Sequence, residues 1–106
     1  MSEYEVIIEP PAEKDLRDIL QYITNTLKEP TIARGMYVSI KNQILTLGKM
    51  PSRHKIIREQ PFIAMGIRKL PIQNYVAFYI VDEVGLKVHL LRILYNRREW
   101  QQILET

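Results

Sequence analysis

At 106 residues the chain is one domain (residues 1–106), long enough to bury about two-thirds of its unfolded surface. Its 46% apolar and 25% charged residues are those of an ordinary globular protein rather than a disordered one, and with no cysteine it has neither disulfides nor thiol chemistry. The net charge of +3 conceals a division: residues 1–50 hold six Lys/Arg against seven Asp/Glu, residues 53–98 nine against three, so the second half is expected to face an anionic nucleic acid or an acidic protein segment.

The opening MSEYEVIIEP has no basic lead and no apolar core, so no secretory signal is expected. Instead Tyr4 to Ile8 alternates as a strand, with Tyr4, Val6 and Ile8 on one face and Glu3 and Glu5 flanking the other. Pro10-Pro11 ends it and starts a helix, because proline at the first helical position gives up no hydrogen bond. Leu16, Ile19, Leu20, Ile23 and Leu27 supply that helix with an apolar stripe, and Glu13 and Asp15 suit the positive end of its dipole. Pro30 begins a second helix carrying Ile32, Met36, Tyr37, Ile40, Ile44 and Leu47, closed by Gly48 and Pro51. The pair is an αα-hairpin whose stripes need a covering surface.

Residues 51–66, bounded by Pro51, Pro61 and Gly66, read as an irregular basic loop, a kind of segment that often carries function. Arg68 to Leu70 starts a strand, Pro71 to Asn74 turns it, and Tyr75 to Val81 is the next; this longest apolar run is too short to cross a bilayer. Asp82 to Gly85 is a hairpin turn and Leu86 to Leu94 the last strand. Asn96 can cap a final helix in which Trp100, Ile103 and Leu104 pack inward. The order β-α-α-β-β-β-α describes an α+β two-layer domain, a helical hairpin packed on one face of a small, mainly antiparallel sheet.

Metal-ligand spacing and a phosphate-cradling glycine loop are both missing, and no nucleophilic triad signature occurs, so no metal and no cofactor is expected. Metal-free RNA cleavage remains the enzyme class to weigh, since it needs only an acid, a base and a cation at the phosphate. His54, Glu59, His89 and Tyr95 are the candidate acids and bases, and Arg68, Arg92, Arg97 and Arg98 the candidate cations. Each also has an ordinary reading: His54 in a solvated loop, His89 in a strand, Glu59 paired with Arg58 or Arg53, and the tyrosines in the sheet. Arg97 and Arg98 sit at a strand-to-helix junction, where successive residues diverge and one can face a ligand.

Taken together, the helix AEKDLRDILQYI (Ala12 to Ile23), the GIRKL passage at Gly66, NYVAFYIV (Asn74 to Val81) and ILYNRREW (Ile93 to Trp100) resemble the RelE/ParE superfamily of bacterial type II toxins over nearly the whole chain. The resemblance implies a small cytoplasmic toxin held inactive by a cognate antitoxin, whose acidic or amphipathic tail wraps it. Toxins of the RelE branch cut mRNA on the ribosome and typically carry an arginine in the third predicted strand and a tyrosine near the C-terminus. By pattern those positions fall here on Val76 and near Gln101, and neither side chain can take the expected part. The ParE branch acts on DNA gyrase without such a set, and the chain resembles it more closely. What the resemblance implies is a gyrase-directed growth inhibitor acting by binding, with Arg68, Lys69, Arg92, Arg97 and Arg98 as contacts to target or antitoxin. The alternative is a ribosome-dependent mRNA endoribonuclease using Arg68, Arg92, Arg97, Arg98, His54 and Glu59.

Overall fold

Tyr4, Val6 and Ile8 set the first element, β1 (Glu5–Ile8), and pack against the main core as their alternation requires. The computed structural model describes residues 3–58 and 62–96. After Glu9 the chain enters α1 (Pro10–Leu27), with prolines at its first positions. Ala12, Leu16, Ile19 and Ile23 form the buried stripe, while Leu27 is exposed at the last residue, just before Lys28 takes a left-handed φ of 55°. In α2 (Pro30–Leu45) the buried positions are Ala33, Ile40 and Ile44. Ile32 is exposed and Ala33 takes its place, a side chain small enough for close approach to the first helix.

The rest of the fold is one sheet. After a single helical turn, α3 (Phe62–Met65), the chain runs through β2 (Arg68–Ile72), β3 (Tyr75–Asp82) and β4 (Lys87–Tyr95). The spatial order is β1-β4-β3-β2: β1 pairs parallel with β4, and the other two pairings are antiparallel. β2 continues through Pro71, where the sequence suggested a turn. As an edge strand it tolerates a residue without an N–H, and the turn shrinks to Gln73-Asn74, with Gln73 at φ 55°. In the β3–β4 turn, Asp82 Oδ1 accepts the Gly85 N–H at 3.0 Å. The register slips between Phe78 and Tyr79, which pair with Arg92 and Leu90, so Leu91 is the extra residue of a bulge in β4.

Both faces of the sheet are apolar. Tyr79, Ala77, Val88, Leu90 and Ile93 meet the helices, and Phe78, Val76 and Leu94 join Ile57 and Ile67 on the opposite side. The stretch read as irregular is more ordered than its composition suggests. It holds a 3-10 turn at Pro51–Arg53, a bridge from Ile56 to Arg68, and the buried Ile57. The final helix expected from Asn96, with Trp100, Ile103 and Leu104, lies outside the described residues. Among the described residues, no helix is long and apolar enough to cross a membrane.

Candidate functional site

Tyr79 organises the basic edge of the sheet. It lies opposite Arg68 in the β2–β3 register, and its buried hydroxyl donates a 2.6 Å hydrogen bond to the Pro51 carbonyl. Burial pushes its pKa up to about 12 against the opposing pull of the Arg68 and Arg53 charges, so it stays a neutral donor. Arg68 ties down the same loop, with Nη1 donating to the carbonyls of Ser52 (3.1 Å) and His54 (2.6 Å). Backbone bonds from Ile57 N–H to Ile67 C=O (2.8 Å) and Lys69 N–H to Lys55 C=O (3.2 Å) lay the following segment along β2. The loop is thereby fixed to the sheet edge.

His54 is held edge-on to Tyr79, ring centroids 6.3 Å apart, and its Nε2 accepts from Arg53 Nε at 3.4 Å. Burial, and then the charges of Arg53 and Arg68, lower its pKa below the usual histidine value, which keeps the imidazole neutral at neutral pH. A neutral imidazole beside two guanidiniums can accept a proton near a bound anion. Glu83 closes the corner: Tyr4 Oη donates to one of its oxygens at 2.6 Å and Ser52 Oγ to the other at 3.1 Å. The acceptor role of Glu83 raises the Tyr4 pKa.

The five cations expected to form one contact surface are not equivalent. Successive strand residues face opposite ways, so Arg68 shares its side with Leu70 and Ile72 of the helix-facing core, while Lys69 shares the other with Pro71 and is exposed. Arg92 lies two strands away from β2 and is bound to α1: Nε and Nη2 donate to Asp15 at 2.7 and 3.0 Å. That hydrogen bond, with the Asp15 charge, raises the Arg92 pKa above its ordinary value. Arg97, Arg98 and Glu59 lie outside the described residues. His89 sits elsewhere, its Nδ1 2.9 Å from Glu9 Oε2, and Tyr95 meets Tyr75 edge-to-face at 5.8 Å. Val76 is buried in the apolar cluster around Phe78. Among the described residues no group of His, Asp and Glu is arranged to hold a metal ion.

Sequence reasoning missed Asp15, Tyr79 and Glu83 as organising residues. Asp15 was placed with the helix-dipole acids, but α1 begins at Pro10, which puts Asp15 past the first turn. Its signal was its position, three residues after Ala12 and one before Leu16, an acid beside the buried stripe. Tyr79 and Glu83 act on residues distant in sequence and left no local sign.

Residues 6–100 match the family described as ParE toxin of type II toxin-antitoxin system, parDE. A search of curated proteins finds no match. Among solved structures, a chain of the chromosomal ParDE system of P. aeruginosa is similar at 21% identity, over 88% of this chain and 96% of that one, with a TM-score of 0.71. A chain of the RelBE2 toxin-antitoxin complex of Mycobacterium tuberculosis is also 21% identical, covering 90% and 93%, TM-score 0.63. The isolated RelE toxin of E. coli is 15% identical over 96% of each chain, TM-score 0.55. At these identities the structural likeness establishes the α+β fold, two long helices on a four-stranded mixed sheet.

Proposed function

The chain belongs to the ParE toxin family of type II toxin-antitoxin systems, and on that basis we propose that it arrests growth in the cytoplasm by binding DNA gyrase, with a cognate antitoxin holding it inactive. Val76 carries the choice of target. The strand position at which RNA-cutting relatives are expected to hold an arginine is a valine buried against Phe78 and Leu94, out of reach of any phosphate. Arg68 and Arg92, the described strand arginines, are spent on the Ser52 and His54 carbonyls and on Asp15. What the β2 edge offers is a fixed, cationic rim of exposed Arg53, Lys55 and Lys69, suited to gripping an anionic surface. Arg97 and Arg98 are proposed as further contacts.

One observation favours the second reading, ribosome-dependent cleavage of mRNA: the neutral His54 between Arg53 and Arg68 has the makings of a base next to cations. Expression in bacteria separates the two. Growth arrest with relaxed plasmid DNA, chromosome breaks and intact messages supports gyrase as target. Arrest with cut messages and normal supercoiling supports the ribosomal reading.

A further inference from the structure

The segment after Pro51 runs antiparallel to the outer edge of β2. Ile56 bridges Arg68, the Lys69 N–H donates to the Lys55 carbonyl at 3.2 Å, and the Ile57 N–H to the Ile67 carbonyl at 2.8 Å. That register sets Lys55 directly across from Lys69, with Cα atoms about 5.5 Å apart. Both side chains leave on the side of the sheet away from the helices. Lys69 lies opposite Phe78, and the neighbours of the two lysines on that side, Ile57 and Ile67, are buried in the Phe78 cluster. Two like charges directly opposite one another in a ladder repel. No carboxylate relieves them: among the described residues the ion pairs join Lys14 to Asp18, Arg17 to Glu13, His89 to Glu9 and Arg92 to Asp15. Glu83, the acid that touches this loop, takes the hydroxyls of Tyr4 and Ser52 instead. Arg53 adds a third exposed cation, its Nε on the His54 ring at 3.4 Å.

We propose that the opposed pair Lys55 and Lys69, with Arg53 beside it, clips neighbouring phosphates of duplex DNA, so that what this rim grips in the gyrase complex is the DNA the enzyme holds rather than its protein surface. The proposal rests on the gyrase reading above and names the chemistry of the anion at the β2 edge. A phosphate backbone relieves the repulsion that the fold leaves unrelieved.

The duplex fits this edge better than other anions do. It presents one negative charge per roughly 1.7 Å of helix axis, denser than the carboxylates of a protein surface, and two ammonium groups one cross-strand spacing apart reach adjacent phosphates. Single strands are held differently, by aromatic side chains on which the bases stack. The exposed aromatics among the described residues, Tyr22 and Tyr95, stand on α1 and β4 instead, and β3 separates β4 from β2. Lysine contacts to phosphate carry no sequence information, which suits a partner that meets DNA of any sequence on gyrase. The loop is already fixed by the Tyr79 and Arg68 bonds to its carbonyls, so binding has little backbone left to order.

The test follows the full-length chain binding a fluorescein-labelled DNA duplex by anisotropy as salt is raised. Between roughly 20 and 100 mM salt the native chain, holding two or three phosphates, is expected to lose affinity by about 20- to 80-fold, and the double variant Lys55→Gln, Lys69→Gln by only about 4-fold. A control that removes the same charge from α1, Lys14→Gln with Arg17→Gln, is expected to keep the native salt dependence. The rim variant is expected to melt no lower than the native chain, because it removes a repulsion, so lost binding is not lost fold. In a second arm, the rim variant is expected to bind DNA-free gyrase as the native chain does. Equal salt dependence of the rim variant and the native chain, or tighter binding of the matching single strand, would overturn the proposal. Loss of binding to DNA-free gyrase in the rim variant would also overturn it and assign the rim to an acidic protein surface. Duplex binding is read without gyrase, so a clip that holds DNA while supercoiling proceeds unimpaired would sink the target reading alone.

Discussion

Asp15 on α1 grips Arg92 on β4 through two hydrogen bonds, 2.7 and 3.0 Å, while the same carboxylate accepts the Ile93 N–H at 2.9 Å. With Asp15 12% and Arg92 29% exposed, the pair is shielded enough to hold the helix to the C-terminal part of β4. Asp15→Ala leaves both a cation and a backbone donor without a partner, and is expected to cost about 2–4 kcal/mol. Arg92→Ala spares the Ile93 bond and is expected to cost about 1–2 kcal/mol less than that. Denaturant unfolding of the two variants checks the order. Equal losses would mean that the Ile93 bond contributes nothing.

Tyr79→Phe removes a buried hydroxyl and orphans the Pro51 carbonyl, so a loss of about 1–2 kcal/mol is expected. Arg68→Ala releases the Ser52 and His54 carbonyls of the same loop. Because both anchors hold one segment, the double variant is expected to lose less than the two single losses combined. Full additivity in denaturant unfolding would show that the anchors act independently.

His54 gives stability a defined slope with pH. Its folded-state pKa is lowered by burial and by Arg53 and Arg68, so the unfolded chain takes up its proton more readily than the folded one. The His54 contribution is therefore complete above the ordinary histidine pKa and is lost as pH falls below it. The melting temperature of the native chain is expected to rise from pH 5 to pH 7 more steeply than that of His54→Gln, with His89 common to both. Parallel curves would contradict the assignment.

Gly48 is where β1 meets the end of the helical hairpin. The Tyr4 N–H donates to the Gly48 carbonyl at 2.8 Å, and a Cβ at Gly48 would lie 2.9 Å from the Tyr4 carbonyl oxygen. Gly48→Ala must push the backbone apart, with an expected loss of about 1–3 kcal/mol by overpacking. Thermal unfolding reads the loss directly, and an unchanged midpoint would show that β1 moves freely.

How much of this was legible in the sequence follows from the range of each interaction. The two helices were written locally, in the spacing of Leu16, Ile19 and Ile23 and in the prolines at both starts. The alternation of β1 and the apolar run of β3 marked those strands for the same reason. Pro71 misled because a proline is a turn former unless its strand lies at the edge, and edge position is a property of the whole sheet. The basic half of the chain was visible as composition, but not which cations were already engaged. Arg92 and Asp15 are separated by 77 residues and Tyr79 and Pro51 by 28, so nothing local announces either pair. The bulge at Leu91 and the short reach of β1 are likewise features of register.

The most direct test is gyrase supercoiling of relaxed plasmid DNA by purified enzyme, with and without the purified chain. Supercoiling is expected to be lost as the chain is added, to be restored by the antitoxin, and to be largely retained with the triple variant Arg53→Ala, Lys55→Ala, Lys69→Ala. Supercoiling that proceeds unimpaired at chain concentrations sufficient to arrest growth would contradict gyrase as the target.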